Sequence, residues 1–340
     1  MTPLTASRND THIHTTILST LAAEHTAGRG ILAFLDTKEA STLRLVNDEF
    51  REAVALFPWF DMKPKISNLQ KWRACFPNAR AANISDQKHL VDADFVHLKG
   101  IHRLDMQNCD QASITDKAFE NLKGIHTLDM RFCNQDGITD AAFEHLRGIH
   151  TLDMRYCKQD GITDAAFEHL RGIHTLIMDS CVQDGITDAA FEHLKGIHSL
   201  DMSDCTQEGI TDAAFEHLKG IHRLNMSGCY QITDAAFEHL KGIHWLNMSY
   251  CSQEDITDAA FEHLKGIHTL CMNYCEQNTI TGAGFVHLRG IDTIYMHGCR
   301  QRGIRDAAYD HLILSSAFDH HHTDIIGDEP YEYDPYDSYD

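Results

Sequence analysis

The chain has 340 residues, and its 50 acidic against 29 basic side chains give a net charge of −21. That balance excludes a basic stripe for nucleic-acid phosphates. Eleven cysteines, an odd number falling mostly at one repeated position, argue for a reduced interior and against a disulfide framework. No apolar run reaches the ~20 residues needed to span a bilayer. An intracellular protein, cytoplasmic or nuclear, is expected, with no nucleic-acid and no membrane partner.

Residues 1–12 are polar and expected to be disordered. Residues 13–60 do not repeat. Within them Ile31-Leu32-Ala33-Phe34-Leu35-Asp36 is followed by Leu43, Leu45, Val46 and Phe50 at helical spacing, across the polar turn Asp36-Thr37-Lys38-Glu39. This predicts a small helical unit that could cap whatever follows. The first segment, with Val46-Asn47-Asp48-Glu49-Phe50, also resembles an F-box, the adaptor-binding module of substrate receptors in cullin-type ubiquitin ligases. The resemblance implies a Skp-type adaptor and a cullin complex as partners, with Ile31, Leu32, Phe34, Leu35, Leu43, Leu45, Val46 and Phe50 as the adaptor-binding residues.

Residues 61–77 form a connecting segment. Phe57-Pro58-Trp59-Phe60 and Trp72-Arg73-Ala74-Cys75-Phe76-Pro77 are too bulky and apolar for a free linker and are expected to weld the helical unit to the first coil.

From Ile101 a phrase Ile-His-x-Leu-x-Met-x-x-Cys restarts nine times, every 24 residues except for one 22-residue step from Ile221 to Ile243. A degenerate copy at Ala79–Ile84 precedes it, so residues 78–314 should make about ten coils. In Ile149–Gly172, Leu152 and Met154 alternate with Thr151, Asp153 and Arg155, which predicts a short strand with the first pair inward and the other three outward. Ala166, Phe167 and Leu170 then share one helical face, with Glu168 and His169 on the solvent side. Thr163-Asp164 supplies an N-cap, and Gly172 suits a left-handed stop. Strands stack about 4.8 Å apart and helices about 10 Å, so such an array must bend with its strands on the concave side.

The pattern resembles the leucine-rich repeat in its cysteine-containing subtype. The resemblance implies an α/β solenoid with parallel strands inside and short helices outside. With the F-box-like start, the chain resembles F-box/leucine-rich-repeat proteins of the kind found as large families in protists and giant DNA viruses, which admits an infected host cell as its setting.

Cysteines from Cys109 to Cys299 should form a buried column; no Cys-x-x-Cys pair suggests a metal, and none is expected. Two histidine columns, His102–His268 and His145–His287, could bind zinc or sense pH, or merely be copies of the unit. Outward strand positions differ between coils. Asp105, Asp129 and Asp153 stack in sequence, their repulsion offset by Arg131, Arg155 and Arg103 at the edge. With Tyr156, Arg223, Trp245, Tyr250, Tyr274 and Tyr295 they compose the expected target-binding concave face, for a basic or mixed-charge protein segment or, as an alternative, a solvated face with local pairing. A cation held by the aspartates is a further option.

Residues 304–312 read as a last helix with no strand after it, and 315–340 as an acidic, tyrosine-rich disordered tail. No nucleophile, phosphate loop or acid–base pair stands outside the repeat register, so no enzyme activity and no cofactor are expected. The chain is thus expected to be the substrate-recognition subunit of a Skp–cullin–F-box ligase, monomeric outside that complex, with an unknown protein target. The alternative is a stand-alone interaction scaffold or inhibitor whose helices only cap the array.

Overall fold

The computed structural model describes residues 32–313 and 324–326. Three-residue strands recur once per coil: β1 (Ala81–Asn83), β2 (Arg103–Asp105), β3 (Thr127–Asp129), β4 (Thr151–Asp153), β5 (Thr175–Ile177), β6 (Ser199–Asp201), β7 (Arg223–Asn225), β8 (Trp245–Asn247), β9 (Thr269–Cys271) and β10 (Thr293–Tyr295). They form one parallel sheet in chain order, and each residue pairs with its equivalent in the next coil. An eleventh strand, β11 (Asp324–Ile326), adds to β10. This departs from the expectation that no strand follows the last helix: β11 supplies backbone partners to an edge that would otherwise be open. The remainder of the expected tail, like residues 1–31, lies outside the described residues.

Opposite the sheet, each middle coil makes one short α-helical turn continued by a 3-10 turn, as in Asp164–Phe167 and Glu168–Leu170. Ala166, Phe167 and Leu170 are buried, Glu168 is exposed and His169 is half-buried. Such a helix is too short to hold itself. Its phenylalanine stacks into a fully buried column from Phe95 to Phe285, between the helices and the Leu, Met and Cys columns of the strands. Gly172 takes φ +81°, the left-handed stop that its position required.

The Thr-Asp pair divides its work. Thr163 is the N-cap, its Oγ1 accepting from the Ala165 N–H at 3.3 Å. Asp164, expected to share that cap, instead reaches the next coil: its carboxylate accepts from Thr187 N and Oγ1 at 2.7 and 2.8 Å. The same staple runs from Asp92–Thr115 through Asp258–Thr281 and ends where Gly282 replaces the aspartate. A second inter-coil bond comes from the glutamine two residues after the cysteine: Gln135 and Gln159 donate to the carbonyls of Cys109 and Cys133 at 2.8 and 2.6 Å.

The N-terminal unit comprises α1 (Thr37–Leu43), α2 (Asp48–Leu56) and α3 (Leu69–Cys75). Asp36–Glu39, expected as a polar turn, is instead the start of α1. Asp36 Oδ1 accepts from Glu39 N at 2.8 Å and Glu39 Oε2 accepts from Asp36 N at 3.0 Å, a reciprocal capping box. Trp59 welds this unit to the array. Its ring is buried between Phe57 and Phe76, its indole N–H donates to Val54 O at 2.8 Å, and its carbonyl accepts from Arg80 N and Ala81 N at 2.7 and 3.1 Å. Ile66 N donates to Asn83 O at 2.8 Å, so residues 59–66 close the outer edge of β1. Leu32, Ala40 and Val54 belong to the same continuous core as the coils. Arg73 on α3 completes the joint, donating to the carbonyls of His97 and Lys99 at 2.6 and 3.2 Å and so satisfying the end of the first back helix.

Candidate functional site: the strand face and its loop edge

Five rows of side chains run across the coils on the strand side: the histidines, the first and third strand residues, and the two residues that lead into each cysteine. The third-strand row was expected to point outward. Asp105 is half-buried, whereas Asp129 is buried and Asp153 is 0% exposed, so neither is open to a partner. The reason is local packing. Arg131 Nη2 and Nε lie 2.5 and 2.9 Å from Asp129 oxygens, and its Nε is 3.4 Å from Asp153 Oδ2. Arg155 holds Asp153 in the same bidentate way at 2.7 and 3.0 Å. Strand neighbours about 4.8 Å apart let one guanidinium cover two carboxylates. Burial pushes the Asp153 carboxyl above its ordinary range, and the Arg155 hydrogen bonds pull the other way. Burial likewise raises Asp105, with the Asp129 charge adding to it.

Farther along, Asp201 is also buried, and the groups that hold it are neutral: Ser203 Oγ and N at 2.6 and 3.0 Å and Asn225 Nδ2 at 3.1 Å. Burial raises this carboxyl too. Beside it, exposed Asp204 is raised by partial burial and then by the charge of Asp179, whose Oδ1 accepts from Ser180 Oγ at 2.8 Å. No ion pair to either Asp179 or Asp204 occurs among the described residues.

The aromatic residues divide between interior and rim. Trp245, expected at the concave mouth, is buried, and the Arg223 guanidinium covers its ring at 4.9 Å. Tyr295 is half-buried and Arg103 is exposed. Tyr156, Tyr250 and Tyr274 sit just before their cysteines, where the chain turns left-handed with φ of +58°, +61° and +56°. That turn lets equivalent rings stack at the rim: Phe132 on Tyr156 at 4.6 Å and Tyr250 on Tyr274 at 4.9 Å, with nearly parallel planes in both cases. Phe132 and Tyr230 escaped the sequence reading. For Phe132 the position before each cysteine, varying from aromatic to Asp to Gly, was the available signal.

The other columns are plainer. Each thiol of the repeated cysteine column from Cys133 to Cys299 donates to the carbonyl of the preceding coil's methionine, as Cys157 Sγ does to Met130 O at 3.2 Å. Burial pushes Cys157 up to about 12, which keeps the thiol protonated and unreactive. His126, His150, His174, His198 and His222 stack face to face at 4.3–4.6 Å, and His244 and His268 continue edge-on. Desolvation, then the neighbouring rings, lowers His150, His198 and His244. Among the described residues no three ligating side chains converge for a metal.

Of the expected adaptor-binding residues, Ile31 lies outside the described residues. Leu32 and Phe50 are buried within the helical unit, because they supply its core, so these two cannot present a surface. Leu35 and Leu43 are half-buried. Phe34, Leu45 and Val46 project into solvent, the first two at 88% and 83% exposure.

A family model described as the BspA type leucine rich repeat region matches in six copies over residues 88–222 and 137–268. No curated protein matches the chain. Among solved structures the chain is similar to TLR13 in its complex with ssRNA13, at 19% identity and a TM-score of 0.56, covering 69% of this chain and 34% of that one. It therefore spans about a third of that protein's length. It is also similar to the Drosophila Toll–Spatzle complex, at 13% identity and a TM-score of 0.58, covering 82% of this chain and 39% of that one. The yeast Rad7–Elc1 complex aligns at 13% identity over 94% and 95% of the two chains, with a TM-score of 0.47, too low to carry an argument. At these identities the likeness shows the fold alone. No described helix is long and apolar enough to cross a membrane.

Proposed function

Given that the chain belongs to the BspA-type leucine-rich-repeat family, we propose that it is a non-catalytic protein-interaction scaffold, holding a protein partner on its strand face and rim while the N-terminal helices cap the array. One observation carries this reading. Within each coil the Leu, Met, Cys and Phe positions that fill the interior barely change, whereas the exposed rim positions change from aromatic to acidic to glycine. A surface varied on a fixed frame serves recognition by side-chain choice. A photo-crosslinker at Tyr250 is expected to retain a partner that one at Glu168, on the helical side, does not. Equal yields from both faces would overturn the proposal.

The capping role rests on Trp59 and the shared core. A chain lacking residues 1–60 is expected to unfold or aggregate, since β1 and the first coil's core become an open end. If the truncated array stays folded and monomeric, the capping role fails.

A second reading has its own support. Phe34, Leu45 and Val46 are exposed apolar side chains that the core of the cap does not use. They fit an F-box docking on a Skp-type adaptor, which would make the chain the substrate receptor of a cullin-type ligase, acting by proximity. Pull-down with a Skp-type adaptor tests it. Binding that is lost on Leu45→Asp with Val46→Asp supports the receptor, and no binding by the folded chain removes it.

A further inference from the structure

We propose that the loop rim of the coils from β5 to β9 binds a basic, arginine-bearing segment of a protein partner, with Tyr250 and Tyr274 as the stacking platform and Asp179 and Asp204 as the ionic anchor. The inference rests on the scaffold reading and adds the chemistry of the occupant.

Charge complementarity selects that occupant. The stretches leaving β5 to β9, residues 179–185, 203–209, 227–232, 249–255 and 273–279, carry seven carboxylates (Asp179, Asp184, Asp204, Glu208, Glu254, Asp255 and Glu276) and neither Lys nor Arg. Glu276 is met by Arg300 at 3.4 Å. The equivalent stretches after β3 and β4, residues 131–137 and 155–161, carry Arg131, Arg155 and Lys158 against Asp136 and Asp160. One surface therefore changes from self-neutralised to acidic midway along the array.

The aromatic geometry is independent of the charge. Tyr250 is 53% and Tyr230 55% exposed. The Tyr250–Tyr274 stack presents a ring face to which a guanidinium can bind by stacking and by cation–π attraction. This chain already makes that contact internally, with Arg223 over Trp245.

Between anchor and platform the row carries no side chain. Its members are Asp204, Gly228 and Tyr250, and Asp204 Oδ1 lies 2.3 Å from where a Cβ at Gly228 would stand. The carboxylate therefore leans over the glycine, toward the side of the row that carries Tyr250. From Asp179 to Tyr250 is three strand steps, roughly 14 Å, which an extended peptide crosses in about four residues. A segment with arginines about four apart matches both ends.

The test uses the full chain and a fluorescent peptide, Arg-Gly-Ser-Gly-Arg-Gly-Ser-Gly-Arg, read by anisotropy against the same peptide with each Arg replaced by Gln. Saturable binding of the arginine peptide, weakening with added salt and absent for the Gln peptide, is expected. Asp179→Asn with Asp204→Asn should weaken it about tenfold. Tyr250→Ala should weaken it about two- to fivefold, while Tyr250→Phe, which keeps the ring, should preserve it. Unaltered circular dichroism shows that the variants fold, as the exposed positions of Asp204 and Tyr250 and the half-buried one of Asp179 lead one to expect. A folded chain that binds both peptides alike, or binds the arginine peptide undiminished by the Asp and Tyr changes, overturns the inference. The crosslinking comparison of the two faces tests the scaffold itself, so the two can fail separately.

Discussion

The coils at β3–β4 and those at β5–β6 both place aspartates on the strand face and its rim, and they resolve the charge in opposite ways. At β3–β4 two guanidiniums lie over Asp129 and Asp153 and close the carboxylates off from solvent. At β5–β6 the arginine position holds Asp179 and then Ser203, so Asp201 is held by neutral donors and Asp179 and Asp204 repel each other at the rim. The difference teaches that a ladder of like charges is tolerated in a repeat array when it is either neutralised from the adjacent row or left at an edge where a partner can neutralise it.

The sharpest way to break this comparison is Arg155→Ala, which takes its bidentate partner from the fully buried Asp153 carboxylate. Stability in urea denaturation at pH 7 should fall by about 3 kcal/mol or more. Adding Asp153→Asn should restore most of it, because an amide needs no counter-charge. A loss that the second change does not repair would show that Arg155 acts only by packing. Cutting one staple, Asp164→Ala, removes both acceptors for Thr187 and should cost about 2 kcal/mol by the same measurement. Since the staple recurs in both regions, Asp188→Ala should cost as much.

At β5–β6 the sign reverses. Because the folded-state pKa of Asp204 is raised, its contribution is fully present below 3.8 and is lost as pH rises through the folded value. Neutralising Asp204 with Asn should thus stabilise the free protein at pH 7, by about half a kcal/mol once solvent screening is allowed for. Destabilisation would mean that Asp204 has a favourable partner at the rim.

The smallest effect should come from the histidine column, which crosses both regions. The folded pKa values of His126, His150, His198 and His244 are lowered, so their contribution is present above 6.5 and lost as pH falls through the folded values. The melting temperature should decline modestly from pH 7 to pH 5, and NMR titration should place these rings below 6.5. A flat profile would leave the stack without a role in pH response.

Much of the solenoid was legible because its signal is periodic. Leu152, Met154, Phe167 and Gly172 hold the places that alternation, helical spacing and a left-handed stop assign to them. Contacts between coils were less legible. Asp164 looked like half of a cap because its true partner, Thr187, lies 23 residues away. The rim was partly readable: Tyr156, Tyr250 and Tyr274 stood out by type, but Trp245 has the same character and is buried under Arg223. The helical start was misjudged at Asp36–Glu39, where side-chain capping turned polar residues into a helix, and at Leu32 and Phe50, which the unit keeps for its own core.

By itself, then, the sequence determined the coil: its strand, its helix, its stop and its inward residues, since each depends on spacing within 24 residues. Only the tertiary structure decided which outward residues remain outward. When neighbouring coils stack about 4.8 Å apart, a side chain's exposure depends on the residue one coil away. Arg131, one coil back, helps to cover Asp153, and a glycine one coil on lets the Asp204 carboxylate lean over it.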